Sequence, residues 1–318
     1  MPRMVAALVL LLMLSSTLSG CLSDDSGIDI SDEANDITNK VFTNTSPLCI
    51  EYTGEFFADV TDISENSKHR SEVRITSTDS SCTIESNGIP NHDFGVNGRF
   101  ANAAAPVIEQ FTFPLNPVVA DNPTPLSLRY DNAIFLNGVK LDLLAAACYG
   151  VGPDPLGKEK IGCMDGNVWR YDPMHQSNDF GEDSNHAHTQ PDGAYHYHGD
   201  PSAMYDKTGS TASGVIGFAA DGFPIIGPYI DDNGTVREVT SGYILREGER
   251  TNLEGEEAFP GSTWNGQFRD DFVWQEGQGD LDQCNGMVID GGYAYFVTFS
   301  FPWVMGCYTG TPDESFRK

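Results

Sequence analysis

Residues 186–198 read His-Ala-His-Thr-Gln-Pro-Asp-Gly-Ala-Tyr-His-Tyr-His, two His-x-His pairs around a Pro-Asp-Gly turn signal. No other run of the chain fixes its local fold so tightly. Proline fits the first central position of a type I turn, and glycine supplies the left-handed residue that closes a three-residue hairpin with a bulge. In that register Gln190 faces Ala194, His188 faces His196 and His186 faces His198. Strand side chains two apart share a face, roughly 6–7 Å apart along the strand. Four imidazoles are therefore expected on one side of a hairpin, with Tyr195 and Tyr197 packing on the other. A slip of one residue would set histidine against tyrosine instead.

Period-two patterns recur elsewhere. In Tyr293–Phe301 the odd positions Tyr293, Tyr295, Val297, Phe299 and Phe301 form one apolar face, and Glu72–Ile75, Gln110–Phe113 and Ser127–Tyr130 are shorter candidates. The 33 glycines and 18 prolines interrupt any long helical pattern, and the clearest helix expectation, Leu141–Tyr149, is short. The predicted fold class is mainly β: a disulfide-braced, β-sandwich-like or mixed β domain with a few short helices.

Location follows from the N-terminus. Arg3, an apolar run from Val5 to Leu14 and the small residues before Cys21 have the form of a secretory signal. Leu18-Ser-Gly-Cys21 matches a lipobox, so residues 1–20 are expected to be a lipoprotein signal peptide and Cys21 the lipid-bearing residue. The apolar run is short for a membrane span, and the lipid would be the chain's only membrane contact. Residues 21–40 carry many acids and are expected to form a solvated tether. Six cysteines remain after Cys21, an even number that suits disulfides in an exported chain. Of fifteen connectivities, sequence order favours Cys49–Cys82, Cys148–Cys163 and Cys284–Cys307. A formal net charge of −28 argues against nucleic acid as a partner and fits a salty environment. Glycine-rich phosphate loops, a GxSxG elbow, HExxH and an EF-hand loop are all missing from the sequence.

Tyr195-His-Tyr-His-Gly199 resembles the YHYH-domain family, named for that tetrapeptide. Asn87-Gly-Ile-Pro-Asn-His92, Leu136-Asn-Gly-Val139, His188-Thr-Gln-Pro-Asp-Gly193, Gly217–Pro224 with Gly227–Tyr229, and Leu281–Gly286 with Phe301-Pro302 and Cys307 look like family segments in family order. The resemblance spans roughly 72–310 and leaves 41–71 outside. It implies an exported β-rich domain and singles out His92, His188, His196 and His198. The resulting plan is an N-terminal β segment over 41–90, a YHYH core over 91–310 and a tail over 311–318. A second Tyr-His strand of some members corresponds here to Tyr293-Ala-Tyr-Phe296, which lacks histidine.

Imidazole suits copper and zinc, whereas calcium and magnesium want oxygen. The first reading is a copper- or zinc-binding lipoprotein with His188, His196 and His198 as ligands and His186 or His92 completing the set. A second is a metal-dependent hydrolase or oxidase at the same site, with Glu182, Asp183 or Asp192 as the nearby base. A third is a surface binding or adhesion module whose histidines are structural. Asp192 and Asp200 are expected to cap turns, and Asp221–Pro224 to form a tight turn between strands.

Overall fold

The computed structural model describes residues 27–253 and 258–318. The segment expected to be a signal peptide, and Cys21, lie outside the described residues.

One sheet is built from β1 (Asn35–Asp36), β2 (Gly54–Asp62), β3 (Ser67–Ser77), β4 (Ser81–Ser86) and β5 (Glu109–Pro114), in the order β1-β2-β3-β4-β5. Its alternation is regular: Ala58 and Val60, Val73 and Ile75, Cys82 and Ile84, and Phe111 and Phe113 all turn inward. On the outer face Arg74 stands in register with Glu55 and Glu85 and pairs with both at 2.9 Å.

The second sheet contains β6 (Ala133–Phe135), β7 (Lys140–Leu141), β8 (Ala187–Thr189), β9 (Tyr195–Tyr197), β10 (Val215–Ala219), β11 (Pro224–Ile226), β12 (Gly286–Ile289) and β13 (Gly292–Phe296). Their spatial order is β12-β13-β11-β10-β6-β7-β9-β8, which puts the His hairpin at one edge. Both sheets contribute to one hydrophobic core, where Phe113 stacks on Phe218 at 5.0 Å and Phe94 meets Tyr195. A satellite cluster of Ala145, Ala147, Trp169, Tyr171 and Phe268 lies in the loop-rich region between β7 and β8 and beyond β11, with Phe180 packed against it.

The chain is mainly β, and among the described residues helical structure is confined to short 3-10 turns. Three disulfides brace it: Cys49–Cys82, Cys148–Cys163 and Cys284–Cys307. The turn at Asp221–Gly222 joins β10 to β11, with Gly222 N–H donating to the Ala219 carbonyl.

Several expectations require correction. Leu141–Tyr149 is not helical. Its backbone groups bond to neighbouring segments instead: Asp142 N–H donates to Tyr197 O and Leu143 N–H to the Asn132 side chain. Leu141 and Leu143 then enter the main core while Ala145 and Ala147 enter the satellite, so the apolar run serves two cores. Ser127–Tyr130 is a turn held by Asp165, with only Tyr130 in an isolated bridge. The alternation from Tyr293 ends at Phe296, after which the chain turns and leaves Phe299 43% exposed. From residue 27 on, the expected tether is tied to the first sheet: Ile28 and Ile37 are buried and β1 pairs with β2, while most of its other residues are exposed. The first sheet crosses the boundary placed between 90 and 91. The segment expected as a tail buries Phe316.

Candidate metal centre

The hairpin has the register read from its sequence. His196 lies opposite His188, Tyr195 opposite Thr189 and Tyr197 opposite Ala187. Gln190 N–H donates to Ala194 O, and Gly193, at φ +93°, closes the loop. Asp192 caps the turn by accepting from Ala194 N–H. Tyr195 and Tyr197 are buried in the core on the far face, their hydroxyls satisfied by Asp183 and by His92 and Asn137.

On the near face three imidazoles converge. His198 Nε2 stands 3.0 Å from His196 Nε2 and 3.0 Å from His188 Nε2. Nitrogen ligands of a tetrahedral ion at 2.0–2.1 Å stand about 3.3 Å apart, close to this spacing. His188 Nδ1 lies 2.7 Å from Phe180 O. A carbonyl only accepts, so Nδ1 carries the proton and Nε2 presents a lone pair to the centre. His198 Nε2 has one place for a proton and two nitrogen neighbours. If it holds the proton, it bonds one neighbour; if it does not, two lone pairs face each other across the contact with His188. No set of neutral tautomers satisfies both contacts, whereas a cation among the three lone pairs would.

Burial pushes His188 below the ordinary imidazole range despite its bond to the Phe180 carbonyl. It depresses His196 and His198 further, and the neighbouring imidazoles add like-charge repulsion. The three rings are thereby held neutral, the form that binds metals.

Two expected ligands are elsewhere. His186 adopts a left-handed backbone, φ +61°, which breaks the alternation that would have aimed it at His198. Its carbonyl accepts from His198 N–H, while its ring sits 2.6 Å from Asp200 Oδ1. Burial opposes protonation of this ring, but the bond and charge of Asp200 outweigh it and raise the pKa. His92 lies behind the hairpin, its Nε2 2.7 Å from Tyr197 Oη and its Nδ1 against Asp93 O. Burial lowers its pKa. Asp200 also accepts from Tyr205.

The carboxylate beside the triad is none of the three named from sequence. Asp183 is committed to Gly95 N–H, Asn185 N–H and Tyr195 Oη. Glu182 lines a different cleft, with Asn97 and His175. Asp142 is the one beside His198 in the cleft shared by the three histidines; Asp179, paired with Arg99, also lines that cleft. The parallel pairing of β9 with β7 sets His196 against Lys140 and Tyr197 against Leu141, so the next step brings Asp142 beside His198. Strand alternation then puts Lys140 and Asp142 on the triad's face. Sequence reasoning missed both: Asp142 lay inside the apolar run read as a helix and Lys140 immediately before it.

The sequence profile of the family described as YHYH protein matches residues 110–310, most of the chain, including the whole hairpin. The chain belongs to the YHYH protein family. The matched span begins after Asn87–His92, so that segment of the resemblance lies outside it, and so does the bulk of the first sheet. The YHYH tetrapeptide itself supplies two core tyrosines and two of the triad's three histidines. No curated protein and no solved structure matches this chain.

Proposed function

We propose that this YHYH protein is an exported, lipid-anchored protein that binds one copper or zinc ion through Nε2 of His188, His196 and His198. The observation that carries the reading is the placement of His198 Nε2 at 3.0 Å from two other imidazole nitrogens, one of them a committed lone pair. Three converging neutral imidazoles, two buried and one half-buried, are a costly arrangement without a cation and an ordinary one around it. The Phe180 carbonyl would act as the outer partner that fixes the His188 tautomer. Anchoring rests on the lipobox ending at Cys21, and export on that same signal together with the three disulfides.

The test is metal content by mass spectrometry on the chain from Leu22 onward, purified without a histidine tag, beside the His188→Ala, His196→Ala, His198→Ala triple variant. About one equivalent of copper or zinc, lost in a variant that keeps its fold, is the expected result. Absence of metal from the parent chain after incubation with both ions would overturn the proposal and leave a binding module with structural histidines.

A further inference from the structure

Three protein donors leave one direction of a tetrahedral site unfilled. Among the described residues, no other histidine, cysteine or carboxylate joins His188, His196 and His198 as a group with ligand atoms in mutual reach. His186 and His92 are tied to Asp200 and Tyr197. All three triad rings line one open cleft of about 760 Å³, walled in part by Leu144, Ala145 and Phe180. Closed four-ligand sites are structural, and three ligands facing a cleft is the pattern of sites that take a molecule from solution.

Asp142 stands in the wall of that cleft. It is 7% exposed; Oδ2 accepts from Lys318 Nζ, whereas Oδ1 is buried and has no hydrogen-bond partner in the protein. An acceptor held in that state favours a ligand that brings its own proton and disfavours a second negative charge.

We infer that the fourth position of the triad site opens to this cleft and takes a small exogenous ligand, and that Asp142 selects a neutral, proton-bearing one (water, an alcohol, an amine) over an anion. The inference rests on the metal reading above. Asp142 is a positioning residue in it, acting on what enters the fourth position and not as a ligand itself.

The experiment follows the visible spectrum of the full-length protein loaded with cobalt(II) during titration with imidazole and, separately, azide. Both are expected to change the spectrum saturably. In Asp142→Asn the azide Kd should fall about tenfold, as loss of one nearby negative charge implies, with imidazole changed by no more than about threefold. The Asp142→Asn, Lys318→Met double variant keeps the wild-type net charge at the pair and should retain the gain for azide. Cobalt-loaded protein that responds to neither ligand would overturn the open position. An azide affinity unchanged in Asp142→Asn, or a gain lost in the double variant, would overturn the part given to Asp142. Failure to take up cobalt, or equal uptake by the triple histidine variant, would instead sink the metal reading.

Discussion

At the scale of single residues, chemical type and place in the fold divide the histidines. His188, His196 and His198 share one face, while His186 and His92 are held by Asp200 and Tyr197. His198→Ala should therefore lower metal affinity at least about 100-fold, beyond the range typical of outer partners, whereas His186→Ala should leave the stoichiometry unchanged; equilibrium metal competition distinguishes them. His92→Ala should also keep the metal but remove a buried partner of Tyr197 Oη, costing about 1–3 kcal/mol in chemical denaturation. Glu182 offers a pH test. Burial raises its pKa from 4.5 to about 7, and Oε1 has no protein partner. The folded state thus holds this proton more tightly than the unfolded state, and the group's destabilising effect grows from about pH 4.5 to about pH 7 and is complete above. Glu182→Gln should raise stability by roughly 1–3 kcal/mol at pH 8 and by little at pH 4.5. A gain independent of pH would count against this account.

At the scale of elements, the hairpin was legible because its determinants are local. Turn chemistry and alternation set which residues face each other, and no distant contact overrides them except at His186. Gly193 is needed twice over: its φ is positive, and a Cβ would come within 2.7 Å of Ala105 Cβ and 3.0 Å of Ala103 O. Gly193→Ala should lower the melting temperature and weaken metal binding together, measured by calorimetry of the apo and loaded forms. The Leu141–Tyr149 segment was not legible. Nine mostly apolar residues fit a buried helix or a buried extended segment equally by composition, and here the backbone acceptors of β9 and the Asn132 side chain decide. The segment contains Cys148, whose bond to Cys163 closes a loop of sequence separation 15 that forms part of the cleft wall. Replacing both cysteines by alanine should cost about 3 kcal/mol by loop entropy and loosen ligand discrimination at the cleft more than metal binding at the hairpin.

For the whole molecule, the formal charge of −28 is the dominant long-range term. Individual ion pairs such as Arg74 with Glu55 and Glu85 are half-exposed and contribute little each. Self-repulsion of the remaining acids opposes compactness and is screened by salt. The melting temperature should therefore rise between about 0.05 M and about 1 M sodium chloride; a fall across that range would show that local ion pairs outweigh the net field. The shared core of the two sheets also extends the folded unit beyond the matched family span at 110–310. Truncation at residue 110 should strip one side of that core and give a chain that does not fold cooperatively.

The sequence by itself determined the β class, an even set of cysteines suited to disulfides, the hairpin with its turn and register, and the three histidines that meet on it. These depend on steric rules acting over a few residues and, for the cysteines, on their even number after Cys21, while which cysteine meets which is decided by the fold. Only the tertiary structure decided that His186 and His92 face other partners, that Ile28 and Ile37 tie the acidic N-terminal stretch to the fold, and that Asp142 stands beside His198. Those outcomes depend on parallel strand pairing and on burial between segments far apart in sequence. In a chain of short strands, such pairings are chosen by the summed packing of both sheets, which no local pattern encodes.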